Sequence, residues 1–156
     1  MQYAKQTNVS SDKSRNEIEQ TLLKYGADQF MYGWDTQNAL IAFRMKGRQI
    51  RFALPMPDKQ DMAFTQTDTG RDRAQSAALK AWEQACRQRW RALALVVKAK
   101  LEAVETGISE FQDEFMANIV LPNGNTVSQF LTPQLEAAYQ SGEMPALLPY
   151  KIKEDE

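Results

Sequence analysis

From Arg71 to Glu105 the chain carries one long helical pattern, and this feature does most to limit what it can fold into. Leu79, Trp82, Cys86, Trp90, Leu93, Val97, Leu101 and Val104 follow one another at steps of three and four. Steps of that size bring all of these side chains onto one face of a helix. Beside them runs a stripe of small residues: Ala74, Ala78, Ala81, Ala85, Ala92, Ala99 and Ala103. A stripe of large residues next to one of alanine predicts a helix that sits close to two neighbours at once, a sheet and another helix. Over its full span the pattern predicts a helix of about 50 Å at 1.5 Å per residue. Such a helix overhangs a small sheet, so its far end needs cover from the C-terminal segment or from a second copy of the chain.

The residues before it predict a helix and three strands. Ser14-Arg15-Asn16-Glu17 has the form of a capping box, and Ile18, Leu22 and Tyr25 then share a face before Gly26, which suits a left-handed cap. Gln29–Trp34, Ala39–Met45 and Arg48–Leu54 alternate in the manner of strands. Turn chemistry lies at Asp35-Thr36-Gln37-Asn38, and Lys46-Gly47 suits a two-residue hairpin. Pairing across these turns sets Tyr32 opposite Ile41, Ile41 opposite Phe52 and Phe43 opposite Ile50. One buried face then carries Phe30, Tyr32, Trp34, Ile41, Phe43, Met45, Ile50, Phe52 and Leu54. The opposite face is flat and basic: Met31, Gly33, Leu40, Ala42, Arg44, Gln49, Arg51 and Ala53. Pro55 and Pro57 end the third strand, and a polar loop spans 58–70, with Asp68 or Thr69 as cap of the long helix and Gly107 as its stop.

Further on, Ser109-Glu110-Phe111-Gln112 starts a short helix bearing Phe111 and Phe115. Pro122-Asn123-Gly124-Asn125 is a turn between Ile119-Val120-Leu121 and Thr126-Val127, and Thr132-Pro133 marks a last helix that Gly142 ends. The fold class expected is α+β: a three-stranded antiparallel meander packed on one long helix, with an N-terminal helix and short C-terminal helices. A flexible stretch at 1–13, a single domain at 14–142 and an extended, partly apolar tail at 143–156 around Leu147-Leu148 complete the organisation. At 156 residues, one domain buries roughly two-thirds of its unfolded surface.

Composition then narrows the chemistry. The chain has no histidine and one cysteine, Cys86. That removes Ser-His and Cys-His nucleophile pairs, His-ligated zinc, internal disulfides and an imidazole acid or base near neutral pH. Cys86, on the apolar stripe, reads as a packed thiol. The glycines are scattered singly, so no phosphate-cradling loop is present. Carboxylate-bound magnesium is the enzymatic route left open. Yet Asp35, Asp58, Asp61, Glu110, Asp113 and Glu114 form no spacing that specifies a metal. The expectation is a protein without catalytic residues, metal or cofactor. No run approaches the roughly 20 apolar residues of a membrane helix. The N-terminus Met1-Gln2-Tyr3-Ala4-Lys5 lacks a signal peptide's apolar core, which predicts the cytoplasm and no membrane partner.

A net charge of −1 conceals uneven spacing. Arg44, Lys46, Arg48 and Arg51 follow one another without an acid. Lys80, Arg87, Arg89, Arg91, Lys98 and Lys100 are set against Glu83 alone, and acids gather at Glu102–Glu114 and Glu154-Asp155-Glu156. The residues expected to contact nucleic acid, DNA or RNA, are Arg44, Lys46, Arg48, Gln49 and Arg51. Cations there would neutralise phosphates while small neighbours let a backbone approach. The other reading is an ordinary solvated sheet face. Trp34, beside the first turn, is the candidate stacking platform, whereas Trp82 and Trp90 read as core. The alternative function is a protein-interaction module or inhibitor acting on a host enzyme or defence system, and either reading accommodates homo-oligomers.

The order helix–strand–strand–strand–helix over residues 14–105, with Gly70-Arg71-Asp72-Arg73-Ala74-Gln75-Ser76-Ala77-Ala78 at the long helix's start, resembles the double-stranded RNA-binding domain. In that family this helix start grips phosphates, so the resemblance implies an RNA contact there. The same order is similar to the core of phage single-strand annealing proteins, which implies ring assembly on DNA. Tyr25–Trp34 and Trp82–Arg91 make the chain resemble small proteins of tailed phages and prophages that carry no assigned activity.

Overall fold

The computed structural model describes residues 4–144 and 146. Its elements run α1 (Ser11–Lys24), β1 (Gln29–Trp34), β2 (Asn38–Met45), β3 (Arg48–Pro55), α2 (Met62–Thr65), α3 (Gln75–Glu105), α4 (Phe111–Phe115), a 3-10 turn (Met116–Asn118) and α5 (Val127–Ser141). The sheet is an antiparallel meander in the order β1-β2-β3. Its register is the one the alternation predicts, with Tyr32 opposite Ile41, Phe43 opposite Ile50 and Ile41 opposite Phe52. Lys46 and Gly47 both take positive φ (50° and 71°), the backbone twist that a two-residue hairpin between right-twisted strands requires.

The inner sheet face and α3 form the core. Ile41, Phe43, Met45, Ile50 and Phe52 pack against Trp90, Leu93, Val97 and Leu101, and α1 adds Ile18 and Leu22. Phe115 of α4 meets Phe43 and Phe52 edge-on at 6.0 and 6.3 Å, with Phe111 5.1 Å away, so an aromatic cluster closes one end. Both ends of α3 are thus covered from within the chain, its finish by the C-terminal segment as one of the two expectations had it. Residues 56–65, including α2, lie at its start, where Trp82 Nε1 donates to the Pro57 carbonyl at 2.7 Å, and α4 lies at its finish. The alanine stripe buries none of its members. The second neighbour, α1, instead meets α3 through the shared core, to which it gives Ile18 and Leu22, and is tied to it by Arg91 and Glu17 at 2.5 Å.

Several expected boundaries move, each for a reason of hydrogen bonding. Helix α1 starts earlier because Ser10, not Ser14, is the cap: its hydroxyl accepts from the Lys13 amide, while Ser14 is buried in the helix. The backbone ahead of α1 is held by Gln84, whose side-chain amide donates to the Lys5 and Thr7 carbonyls. Helix α3 starts at Gln75 rather than Arg71, with no cap from Asp68 or Thr69. The backbone of Arg71 and Arg73 is already bonded to Thr67 and Thr65 in a small hairpin. Helix α5 starts at Val127 rather than at Pro133. Thr126 and Gln129 form a reciprocal capping box there, and Pro133 lies inside the helix. The turn at 122–125 forms as expected, with Val120 bridged to Thr126. The expected strap around Leu147-Leu148 and the acids Glu154-Asp155-Glu156 lie outside the described residues. Among the described residues no helix is long and apolar enough to cross a membrane.

Candidate functional site

The residues expected to bind nucleic acid belong to one end of the sheet, around the β2–β3 hairpin. Arg44 and Gln49 are directly opposed across that hairpin, and Lys46 and Arg48 flank its tip. The outer face is open to solvent at Met31, Arg44, Gln49 and Ala53, while Ala42 in its middle is buried. Arg44 is already paired. Its Nε lies 2.9 and 3.1 Å from the Asp28 carboxylate and its Nη2 2.6 Å, a two-pronged contact that holds the Asp28 carboxyl below its usual range. Arg51 is engaged elsewhere, and its Nη2 donates to the Gly124 carbonyl at 2.9 Å and to Gln129 Oε1 at 3.0 Å. Gln129 also caps α5, so Arg51 pins the start of that helix to the sheet. Lys46 rests 5.6 Å over the Phe111 ring, and Arg48 and Gln49 are exposed. In the second basic region, Arg91 and Lys100 are bonded to Glu17 and Glu114, which ties α3 to α1 and α4.

Trp34 is not with these cations. It pairs with Ala39 while Arg44 pairs with Gln29, five residues and about 17 Å along the strand. The expectation that Phe30, Tyr32 and Trp34 line the buried face holds only in part, because Tyr32 is 45% and Trp34 77% exposed. The physical reason is Arg15. Its guanidinium stands 4.9 Å from the Tyr32 ring and 5.2 Å from that of Trp90, and it pairs with Asp12. A charged group wedged between the two layers keeps the far end of β1 from closing on α3.

What opens there is a cleft of about 640 Å³, within the size range of small-molecule sites. The β1–β2 turn contributes Trp34 and Asp35, the stretch after β3 contributes Met56 to Gln60, α3 contributes Trp82, Cys86, Arg87 and Trp90, and α1 contributes Arg15. All three tryptophans of the chain therefore meet in one place. Trp90 is in the core as expected. Trp82 is only half-buried, with Lys59 Nζ 4.3 Å above its ring. Cys86 at the base is buried, and burial pushes its thiol up from the ordinary value, as befits the packed thiol expected. Asp35 takes the Gln37 and Asn38 amides at 2.8 and 2.7 Å, and these bonds hold its carboxyl down.

Sequence reasoning missed Arg15, Met56, Lys59 and Trp82 as neighbours of Trp34, though one signal pointed to them. The register that sets Ile41 opposite Phe52 also sets Asn38 opposite Pro55, and Met56 extends the ladder by donating to the Gln37 carbonyl at 2.9 Å. Residues 56–60 therefore had to pass beside the turn that carries Trp34. Among the described residues no group of three acids or cysteines could hold a metal ion.

Fold and site together define a mixed α+β fold with an outer sheet face exposed at its hairpin end and partly covered in its middle, and one aromatic cleft. Compared with family models, curated proteins and solved structures, the chain matches none.

Proposed function

We propose that the protein is a non-enzymatic, nucleic-acid-associated accessory protein of the cytoplasm, in keeping with the small phage and prophage proteins it resembles. It contacts phosphates through the hairpin end of its open sheet face. The observation that carries this reading is that Arg44, Lys46, Arg48 and Gln49 are gathered at one exposed end of the sheet. The Arg44–Asp28 pair does not close the surface, because both side chains are about half exposed (47% and 56%). An ion pair so exposed is screened by solvent and contributes little, so a phosphate can compete for the guanidinium. Arg51 drops out of the phosphate-binding group, since it is engaged with Gly124 and Gln129.

Fluorescence anisotropy with labelled single- and double-stranded oligonucleotides at low salt tests the proposal. Micromolar binding is expected, and Arg44→Glu with Arg48→Glu should weaken it. The same double variant should flatten the salt dependence by about one unit of slope for each phosphate no longer neutralised. Binding absent at micromolar protein, or unchanged in the double variant, removes the reading.

A protein-interaction module is the second reading, and α5 favours it. This helix buries no residue and exposes Leu135 and Tyr139. Self-association seen by light scattering that disappears in Leu135→Glu with Tyr139→Glu would support it. A monomer in both cases would count against a homo-oligomer formed on this face.

A further inference from the structure

The tryptophan cleft has a chemistry of its own, independent of the sheet face. A tryptophan with three-quarters of its surface in water presents a large flat ring without covering anything. Such a ring is stabilised when another flat group lies on it. Trp34 stands in this condition at the mouth, with Trp82 and Trp90 along the α3 wall and Met56 on the loop side. The exposed lining is mostly aromatic and apolar surface, and charged and polar side chains stand among it, a build that suits a small ring system carrying a polar group.

The charged groups decide what such a ring must carry. Asp35 and Asp58 accept from backbone amides of their own turns, Asp58 from Gln60 N at 2.9 Å, which fixes where their negative charges sit at the rim without removing them. Glu83 remains as an acid on the wall. Among the cations, Arg15 is clamped between two rings and Arg87 donates to Gln84 at 2.6 and 3.0 Å. Lys59 differs from both. Its ammonium sits on the Trp82 face at 4.3 Å, and no hydrogen bond or ion pair holds it among the described residues. A ring that stacks on Trp82 must move that ammonium off the indole, and a ring bearing an anion offers it a partner in exchange. A cationic ligand would displace Lys59 and gain a like charge beside it, with Arg87 close by.

We infer that this cleft is a binding site for a nucleobase with a phosphate next to it, the base stacking against Trp34 and Trp82 and the phosphate taken by Lys59. Either a free nucleotide or an unpaired base within a single strand presents that chemistry.

The test is isothermal titration of the full-length protein with AMP, adenosine, a short oligo-dA and tetramethylammonium, against Trp34→Ala and Lys59→Ala. Both positions are exposed, and circular dichroism checks that the variants stay folded. Saturable binding of AMP is expected, weakened by about five- to a hundred-fold in Trp34→Ala, the range for loss of one stacked base. Lys59→Ala should weaken AMP, whereas adenosine, which no longer has to displace the ammonium from Trp82, should bind at least as tightly as to the wild type. If the oligonucleotide binds more tightly than AMP per base, and is equally sensitive to Trp34→Ala, the base comes from a strand. If AMP binds at least as tightly, the source is a free nucleotide. No saturable binding of either at millimolar ligand overturns the inference, as does AMP binding indifferent to Trp34→Ala or a preference for tetramethylammonium. Oligonucleotide binding lost in Arg44→Glu with Arg48→Glu but untouched by Trp34→Ala would support the sheet-face reading, and would overturn this one where AMP binding is absent or equally untouched by Trp34→Ala. The reverse pattern would do the opposite.

Discussion

Removing the Phe115 ring should show how much the domain depends on a short helix that makes only five residues of structure. Phe115 is 0% exposed and lies edge-on to both Phe43 and Phe52, with Phe111 behind it and Lys100 Nζ 5.7 Å from its ring. Phe→Ala in a core costs about 3–5 kcal/mol, and the figure depends on how far the site can collapse. Collapse is restricted here. Lys100 bonds to both the carbonyl and the carboxylate of Glu114, and the chain just beyond α4 is bridged to β3 through Ile119 and Ile50. A value near 4 kcal/mol follows, which for a domain of this size lowers Tm by about 8–16 °C. Urea unfolding followed by circular dichroism measures it, with Tyr139→Ala (89% exposed) as a control expected to stay near zero. A loss below about 1.5 kcal/mol at an unchanged denaturant slope would refute the packing of α4 on the sheet.

Other outcomes follow from single side chains. Ser14 is fully buried and its hydroxyl has no partner among the described residues. Ser14→Ala should therefore raise stability by about 1 kcal/mol, since an orphan polar group is removed and helix propensity improves; a fall in Tm would contradict this. Asp28 titrates below its ordinary 3.8 in the folded state because Arg44 hydrogen-bonds its carboxylate. Its contribution is therefore present above that unfolded value and lost as pH falls through the lowered folded one. Urea midpoints of wild type and Asp28→Asn should differ at pH 7 and converge in acid, and a gap that widens toward acid would refute the pairing. Arg51→Ala should speed amide exchange at Gly124 to Gln129 while leaving the β1–β2 pairing protected. Unchanged exchange there would deny Arg51 its role in holding α5.

Much of the fold is legible from the order of residues because its cause is local. Strand alternation, two turns and a periodic apolar stripe specify the meander, its register and the core face of α3. The pairing of Phe43 with Ile50 could be read directly. Helix boundaries were less legible, because each depends on which backbone groups are already bonded. The Arg71 and Arg73 groups used by a small hairpin, and the capping box that overrides Pro133, are examples. For the site, charge along the chain located the cations of the hairpin, yet it could not tell an arginine open to a phosphate from Arg44 beside Asp28 or Arg51 beneath Gly124.

By itself the sequence determined which side chains share a face, since a period of two or of 3.6 is a property of the backbone alone. Only tertiary structure decided which faces close. Trp34 has the same period as Ile41 and Phe43 of the next strand, but it stays in water, at the end of β1 where the Arg15 guanidinium stands between the Tyr32 and Trp90 rings. Whether an aromatic residue becomes core or cleft depends on the distance to the opposite layer, and that distance is set by contacts between segments that no local pattern records.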